Sequence, residues 1–313
     1  RIAAGTICSA GTLGQIIPPS VILVLLGDVL GNAYQKAQLS QGVYAPKTVS
    51  VGDLFAGAML PGLVLVGGYL IYLVAVAWLQ PARMPALPAA MRHAPGLGTL
   101  LRALLPPVVL VIAVLGSIVG GLATPTEAAA IGAVGAVVLA AAAGQLSLQA
   151  LRETARKTAL VTSMVYLILI AAALFSLVFR GYGGDDLVHA LLTDLPGGVI
   201  GALIIVNLVV FLLGFLIDFI EIIFIVVPLV APPLLALGVD PIWLGVLLAL
   251  NLQTSFLTPP FGFALFYLRG AAPKEFPTSA IYRGVIPFIV IQLSMLLVLA
   301  LFPGLATWLP QQM

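Results

Sequence analysis

Charged side chains are scarce in this chain of 313 residues. Asp, Glu, Lys and Arg together make up 8% of it, whereas hydrophobic residues make up 62%. A soluble domain of this size carries far more charge, so the composition excludes that class and indicates an integral membrane protein embedded in a lipid bilayer. The formal net charge of +2 provides no strongly basic surface, and we expect no nucleic-acid partner.

Cysteine and the common catalytic motifs are also nearly absent. Cys8 is the single cysteine, which excludes an internal disulfide, and we expect it to be a small core residue. The sequence has no Walker A loop, no Gly-x-Ser-x-Gly and no His-Glu-x-x-His. His93 and His189 have no metal-ligand neighbours in sequence. We therefore expect neither an enzyme nor a bound cofactor.

Long apolar runs dominate the sequence. A bilayer-spanning helix needs about 20 apolar residues, and polar punctuation separates several runs of this kind. This pattern predicts an all-α, polytopic membrane protein. The predicted segments are 3–31, 54–79, 103–122, 125–143, 158–179, 199–217, 220–237, 242–268 and 284–303.

The positions of the cations predict how these segments are oriented, because cytoplasmic loops are enriched in Lys and Arg. If Arg1 is cytoplasmic and each full span crosses once, only Lys36, Lys47 and Arg180 lie outside. The cations placed inside are Arg1, Arg83, Arg92, Arg102, Arg152, Arg156, Lys157, Arg269, Lys274 and Arg283. This topology treats 199–237 as a re-entrant hairpin, because each half is short and its turn carries Asp218 and Glu221. Two full crossings would orient the later segments in the same way, so charge alone leaves that alternative open.

Two matching interruptions occur within the apolar runs. Residues 11–20 read GTLGQIIPPS, and residues 253–262 read QTSFLTPPFG. Proline removes a backbone donor and clashes with the preceding turn, so each helix must open there. Opened backbone persists in a membrane only where protein buries it or where it lines a cavity. Paired broken helices predict the ion and substrate site of a secondary transporter.

The two interruptions belong to a weak internal repeat. Aligning the double prolines superposes 10–31 on 251–272, and in the predicted topology the two copies run in opposite directions. A span with an early proline follows each copy, with Pro61 in the first and Pro287 in the second. By symmetry we expect a hairpin before the first broken helix, and we expect the chain to be the C-terminal part of a longer polypeptide.

The residues at these positions favour cation and carboxylate chemistry. Opened backbone offers carbonyl oxygens, and Thr12, Thr254, Ser255 and Thr258 add hydroxyl oxygens, which suit sodium. The positive ends of the half-helices suit a carboxylate. A charge at mid-membrane costs about 2.5–3.5 kcal/mol, so the carboxylates in the 199–237 turn predict a cation ligand or gate. A turn that reaches the interface and is simply hydrated remains the alternative.

Three motifs in order carry a resemblance to a known family. Residues 11–20, residues 123–129 (ATPTEAA) and residues 251–262 resemble the large membrane subunit of tripartite ATP-independent periplasmic (TRAP) transporters. The resemblance runs through essentially the whole chain. It implies an inverted-repeat, elevator-type transporter in the bacterial inner membrane. It also implies sodium-driven uptake of an organic acid, such as a C4-dicarboxylate, with a periplasmic binding protein and a small membrane subunit as partners.

The resemblance also implies a division of the chain and a set of site residues. A mobile transport domain would contain 1–31 and 199–268, and scaffold and arm helices would occupy 32–157. A span with an outer loop (158–198) and a C-terminal span (269–313) would complete the chain. The implied sodium ligands are Gly11, Thr12, Gly14, Pro18, Asp218, Thr254, Thr258, Pro259 and Gly262. The candidate substrate contacts are Ser20, Glu221, Asn251 and Ser255.

Two other classes of protein remain open from the sequence. One is a stand-alone sodium-coupled dicarboxylate or amino-acid carrier that needs no binding protein. The other is a membrane-embedded enzyme that uses Asp218 and Glu221 as an acid/base pair. The sequence offers no nucleophile or metal cluster beside that pair, which argues against the enzyme.

Overall fold

Helices are the only regular elements in the described part of the chain. The computed structural model describes residues 1–85, 96–260, 262–273 and 276–312; Arg92, His93, Phe261 and Lys274, used or weighed above, lie outside these ranges. The helices are α1 Ile2–Leu13, α2 Val21–Ser40, α3 Val51–Leu79, α4 Leu97–Val119, α5 Pro125–Ala142, α6 Leu148–Gly181, α7 Gly184–Thr193, α8 Gly198–Leu213, α9 Phe219–Glu221, α10 Val227–Ala236, α11 Pro241–Leu257, α12 Phe263–Ala271, α13 Thr278–Leu301 and α14 Gly304–Thr307. The stretch Ile222–Val226 between α9 and α10 is π-helical.

Six helical stretches in the described ranges are long and apolar enough to cross a membrane. They are Val51–Leu79, Leu97–Val119, Pro125–Ala142, Leu148–Gly181, Phe219–Ala236 and Thr278–Leu301. The expectation of an all-helical polytopic membrane protein is thereby confirmed. The inverted repeat and the re-entrant course of 199–237 stay predictions.

The chain divides into two compact units, of which the first contains Arg1–Val74 and Leu167–Met313. Within this unit α11 is buried along nearly its whole length and contacts α2, α8 and α13. Helix α10 packs on α2, and α1 packs on α13. The first unit therefore surrounds the second broken helix with protein on most sides.

The second unit, Ala75–Tyr166, centres on the helix pair α4–α5. A capping box begins α5: the Thr124 hydroxyl accepts from the Glu127 N–H, and the Glu127 carboxylate accepts from the Thr124 N–H at 2.8 Å. The Leu110 side chain lies so close to Gly135 that a larger residue there would displace it. Apolar side chains cover nearly every face of the pair, which is typical of helices surrounded by hydrocarbon.

Several boundaries differ from those predicted. Helix α6 begins ten residues before the predicted 158, because its polar first turns continue the helix and are supported by a Lys157–Glu153 ion pair at 2.9 Å. Helix α2 continues past the predicted 31 to Ser40. The segment 180–198, predicted to be an outer loop, contains the unpredicted α7, which follows the left-handed Gly183 and carries Asp185 and Asp186 in its first turn.

Helices α1 and α13 approach so closely that only glycine fits at their contact. A Cβ on Gly5 would overlap the carbonyl group of Gly284, and a Cβ on Gly284 would overlap the carbonyl oxygen of Arg1. Small residues allow this backbone approach between membrane helices. We therefore attribute the α1–α13 packing to this glycine pair.

Gly5→Val should destabilise the first unit because the new side chain has no room between α1 and α13. Overpacking of this kind costs about 1–3 kcal/mol, and a lower melting temperature of the detergent-solubilised protein would report it. Gly67→Val is the matched control, since nothing lies within 4 Å of a Cβ at that position in α3. Equal melting temperatures for the two variants would contradict this packing.

Candidate functional site

The first break lies between α1 and α2. Hydrogen bonds of one serine connect the two ends of its loop. The Ser20 hydroxyl donates to the carbonyl oxygen of Gln15 and accepts from the N–H of Leu23 at 3.4 Å. Ser20 is thus the N-cap of α2, as its position after the double proline favours. The bond between the two prolines is cis here and in the second break. Ser20 and Ile22 are buried, so α2 begins against the protein interior with its positive end beside the break.

Thr12 supplies a buried hydroxyl one turn before this loop. Its Oγ1 donates to the carbonyl oxygen of Ser9 at 2.9 Å. The donation uses the only hydroxyl hydrogen and leaves lone pairs available on the oxygen. Gly14 ends α1, and nothing lies within 4 Å of a Cβ at Gly11 or Gly14. The first break therefore presents oxygen acceptors beside backbone that no side chain covers.

The second break lies between α11 and α12. Three hydroxyls at this break all donate hydrogen bonds to carbonyl oxygens of α11. Thr254 donates to the Leu250 carbonyl oxygen at 2.7 Å, and Thr258 donates to the Thr254 carbonyl oxygen at 2.7 Å. Ser255 donates to the Leu252 carbonyl oxygen at 2.8 Å. Since every hydroxyl hydrogen is used within α11, the group can offer a ligand only oxygen lone pairs. That chemistry suits a cation.

The backbone after the second double proline requires glycine. Gly262 is the N-cap residue of α12 and makes no side-chain capping bond. A Cβ at this position would lie 2.8 Å from the carbonyl oxygen of Phe256, so a larger residue would open the turn. The first N–H groups of α12 therefore start without a side-chain acceptor, unlike those of α2.

The α8–α10 segment docks on α11 beside the second break. The Asn251 side-chain amide donates to the carbonyl oxygen of Asn207 at 2.7 Å and to its side-chain oxygen at 2.9 Å. One turn further, Gly214 lies so close to Ser255 that a Cβ would overlap the serine hydroxyl. The rings of Phe219 and Phe256 follow, with centroids 6.2 Å apart. These successive contacts place the turn that carries Asp218 next to the second break.

Both carboxylates of this turn are half-buried. Asp218 is the N-cap of α9, and its Oδ1 accepts from the N–H of Phe219 at 2.8 Å. Oε2 of Glu221 is buried and has no hydrogen-bond partner among the described residues. The π-helical stretch follows directly, a deviation that often marks functional sites. An unpaired carboxylate oxygen within the membrane is costly, which favours a ligand for it over a purely structural role.

A cavity of about 420 Å³ lies between α1 and α12, beside the residues that precede each double proline. Gly11, Thr12 and Gln15 line it from the first break, and Phe256 and Tyr267 line it from the second half of the chain. Its walls carry no charged side chain. It has the size of a small-molecule site, and Thr12, Gln15 and Tyr267 supply polar side-chain groups to its lining.

The structure distributes the predicted residues over two places. Gly11 and Thr12 line the cavity. Thr254 and Thr258 lie at the C-terminal end of α11, and Asp218 lies in the turn before α9. The four predicted substrate contacts do not line the cavity: Ser20 caps α2, and Asn251 and Ser255 meet α8. The role of every predicted residue stays a prediction.

Sequence reasoning missed Gln15, Phe256 and Tyr267 as lining residues. A signal for two of them was present, because Gln15 and Phe256 hold the same position relative to their double prolines. The structure shows that these equivalent positions converge on one cavity. The pairing of Asn207 with Asn251 depends on how α8 packs against α11 and is visible only in the tertiary structure.

Gly214→Ala should separate the α8–α10 segment from α11, because the added methyl group overlaps Ser255. We expect a lower melting temperature and recovery in the double variant Gly214→Ala/Ser255→Gly, which removes the overlapping side chain. Ser255→Gly alone is the control for loss of the serine. A double variant no more stable than Gly214→Ala would show that this contact does not set the docking.

Comparison with known proteins gives a family for the chain. Residues 1–305 match the family described as "Tripartite ATP-independent periplasmic transporter, DctM component". The C4-dicarboxylate TRAP transporter large permease protein DctM of Pseudomonas aeruginosa is 31% identical over 310 residues. That alignment covers 98% of this chain and 67% of the relative.

Two further relatives have other substrates in their names. The sialic acid TRAP transporter large permease protein SiaM of Vibrio cholerae is 27% identical, over 99% of this chain and 67% of the relative. The ectoine/5-hydroxyectoine TRAP transporter large permease protein UehC of Ruegeria pomeroyi is 29% identical, over 97% and 66% respectively. The chain thus spans about two thirds of the length of these relatives.

Proposed function

The chain belongs to the family of TRAP transporter large permease subunits, and we propose that it couples sodium entry to import of an organic acid. Membership makes it a multi-pass membrane transport subunit rather than an enzyme. In a tripartite system its partners are a small membrane subunit and a periplasmic binding protein that delivers the substrate. Similar permeases are named for C4-dicarboxylate, sialic acid and ectoine.

The inward-donating hydroxyls at the two breaks are the observation that supports sodium as the coupling ion. Thr12, Thr254 and Thr258 each donate to a carbonyl within their own helix and keep oxygen lone pairs for a ligand. Sodium binds to such oxygens and to the carbonyls that unwinding frees in broken membrane helices. Asp218, beside the second break, would contribute the one full negative charge.

The uncharged walls of the cavity support a carboxylate substrate held by helix ends rather than by an arginine or lysine. The first turn of α12, which starts at the second break with its positive end, lines the cavity through Ala264. The amide of Gln15 adds a neutral donor. The aromatic rings of Phe256 and Tyr267 would accommodate the carbon skeleton of the acid.

Coupling would follow from the contact between the hairpin turn and α11. Sodium at the second break would draw Asp218 towards Thr254 and Thr258 and so stabilise the docked hairpin. A ligand shifts a conformational equilibrium only by its difference in affinity for the two states. Sodium bound between two elements stabilises their closed arrangement because that arrangement alone supplies all the ligands. The closed transport domain would then carry substrate and ion across together, as an elevator mechanism requires.

Uptake of radiolabelled organic acids into proteoliposomes tests this proposal. The vesicles should contain the full-length permease with its small subunit, with the sodium gradient and the binding protein each omitted in turn. We expect uptake only when both are present. Uptake that needs sodium alone would favour the stand-alone carrier, and uptake without a sodium gradient would contradict sodium coupling.

Thr258→Val should raise the sodium concentration that gives half-maximal uptake by about tenfold, which corresponds to about 1.4 kcal/mol for one lost oxygen ligand. Asp218→Asn should raise it at least as much, because it removes the negative charge. Sodium titration of uptake measures both.

Thr193→Val provides the control for these substitutions. Thr193 ends α7, and its hydroxyl also donates to a carbonyl one turn back, that of His189 at 2.8 Å, but it lies far along the chain from either break. Its sodium dependence should match that of the unmodified protein. Unchanged sodium dependence in both Thr258→Val and Asp218→Asn would contradict the second sodium site.

A further inference from the structure

A group of buried polar side chains in the first unit lies apart from the hydroxyl clusters of the two breaks. Gln253 of α11 and Gln292 of α13 are both 0% exposed, and the hydroxyl of Tyr69 on α3 is also buried. No hydrogen bond of good geometry from the described residues reaches either amide nitrogen, either amide oxygen or the hydroxyl, although the Tyr69 hydroxyl lies close to the Gln292 amide. Within a membrane each such group is costly unless something satisfies it.

Two hydrogen bonds fix the register of α11 against α13. At one end the Trp243 indole N–H donates to the carbonyl oxygen of Leu299 at 2.8 Å. At the other end the Tyr282 hydroxyl donates to the carbonyl oxygen of Pro260 at 3.4 Å. The two helices are therefore antiparallel neighbours.

This register brings the two glutamines to within about one helical turn of each other along the helix axes. At 1.5 Å per residue, Gln253 lies about 15 Å along α11 from Trp243, and Gln292 lies about 10 Å along α13 from Leu299. The difference is about 5 Å, less than the length of one glutamine side chain plus a water molecule. The side chains also lean towards each other, because each points back towards the N-terminus of its own helix.

Helix α3 completes the group. The Tyr69 hydroxyl lies beside the Gln292 amide, and its ring meets Phe288 edge-on at 5.1 Å between centroids. On α11, Val246 contacts the Gly57 position of α3. Gln253 lies two turns after Val246 on the same face of the helix, so it also faces α3. Three helices thus direct polar groups into one small region of the interior.

We propose that Tyr69, Gln253 and Gln292 form a water-binding site in the membrane core, behind the second break. Amides need both an acceptor and a donor, and a water molecule supplies both. A bare cation would bind the oxygens but leave the amide hydrogens without acceptors. A buried water makes about three hydrogen bonds, so one or two waters satisfy the group. Hydroxyls of the two breaks are not part of this site.

Hydroxyl-radical labelling tests the site without relying on transport. Millisecond X-ray radiolysis forms radicals from bound water, and mass spectrometry locates the modified side chains. In the full-length permease with its small subunit, in lipid nanodiscs, we expect Tyr69, which is 5% exposed, to be modified at least about fivefold faster than another buried aromatic ring of α3. Phe55 of the same helix, 1% exposed, is that reference. Equal rates at the two rings would overturn the proposal.

The double variant Gln253→Leu/Gln292→Leu should reduce labelling of Tyr69 to the rate at Phe55. Gln38→Leu is the matched control, because Gln38 is a buried glutamine that bonds instead to the backbone of Lys47. Its Tyr69 labelling should be unchanged. Persistent fast labelling in a double variant that elutes as folded protein would overturn the assignment to these amides. If the double variant does not fold, the comparison of Tyr69 with Phe55 in the unmodified protein still decides.

Discussion

Backbone that leaves a helix inside a membrane must still satisfy its polar groups, and both breaks depend on how that requirement is met. In the first break the Ser20 hydroxyl bonds to backbone on both sides of the loop, so one residue closes the opening. In the second, hydroxyls from α11 bond to carbonyls of their own helix, and glycine allows the chain to fold back on Phe256. What remains unsatisfied at each break is available to a ligand.

The central position of α11 follows from the same requirement. Since its broken end exposes backbone, the helix needs protein around it, and it contacts α2, α8 and α13. The contact with α8 includes the Asn207–Asn251 amide pair, and the contact with α13 includes the Trp243–Leu299 bond. Polar groups inside the bilayer interior have few alternative partners, so such bonds specify position more than they add stability. The register of α11 therefore determines where Thr254 and Thr258 stand relative to the hairpin turn.

Much of this arrangement could be predicted from residue chemistry. The double prolines located both breaks to within a few residues because proline cannot continue a helix. The predicted segment 125–143 matches α5, which begins at Pro125 directly after its N-cap Thr124. Helix α7 was missed because it lies in a polar stretch that hydropathy assigns to a loop. The convergence of Gln15 with Phe256 was not predicted, since a cavity depends on how distant segments pack.

The two breaks, although equivalent by sequence alignment, differ in what they can offer an anion. The Ser20 hydroxyl accepts a hydrogen bond from one of the free N–H groups at the start of α2. Gly262 has no side chain, so the first N–H groups of α12 have no side-chain acceptor from their N-cap residue. Helix N-termini attract anions through those N–H groups together with the helix dipole. In the proposed transport cycle a carboxylate would therefore gain more from the start of α12 than from α2. The hydroxyls just before it, on α11, would hold the cation. Opposite charges would then bind on either side of a single opened turn, which gives a physical reason why ion and acid should bind together.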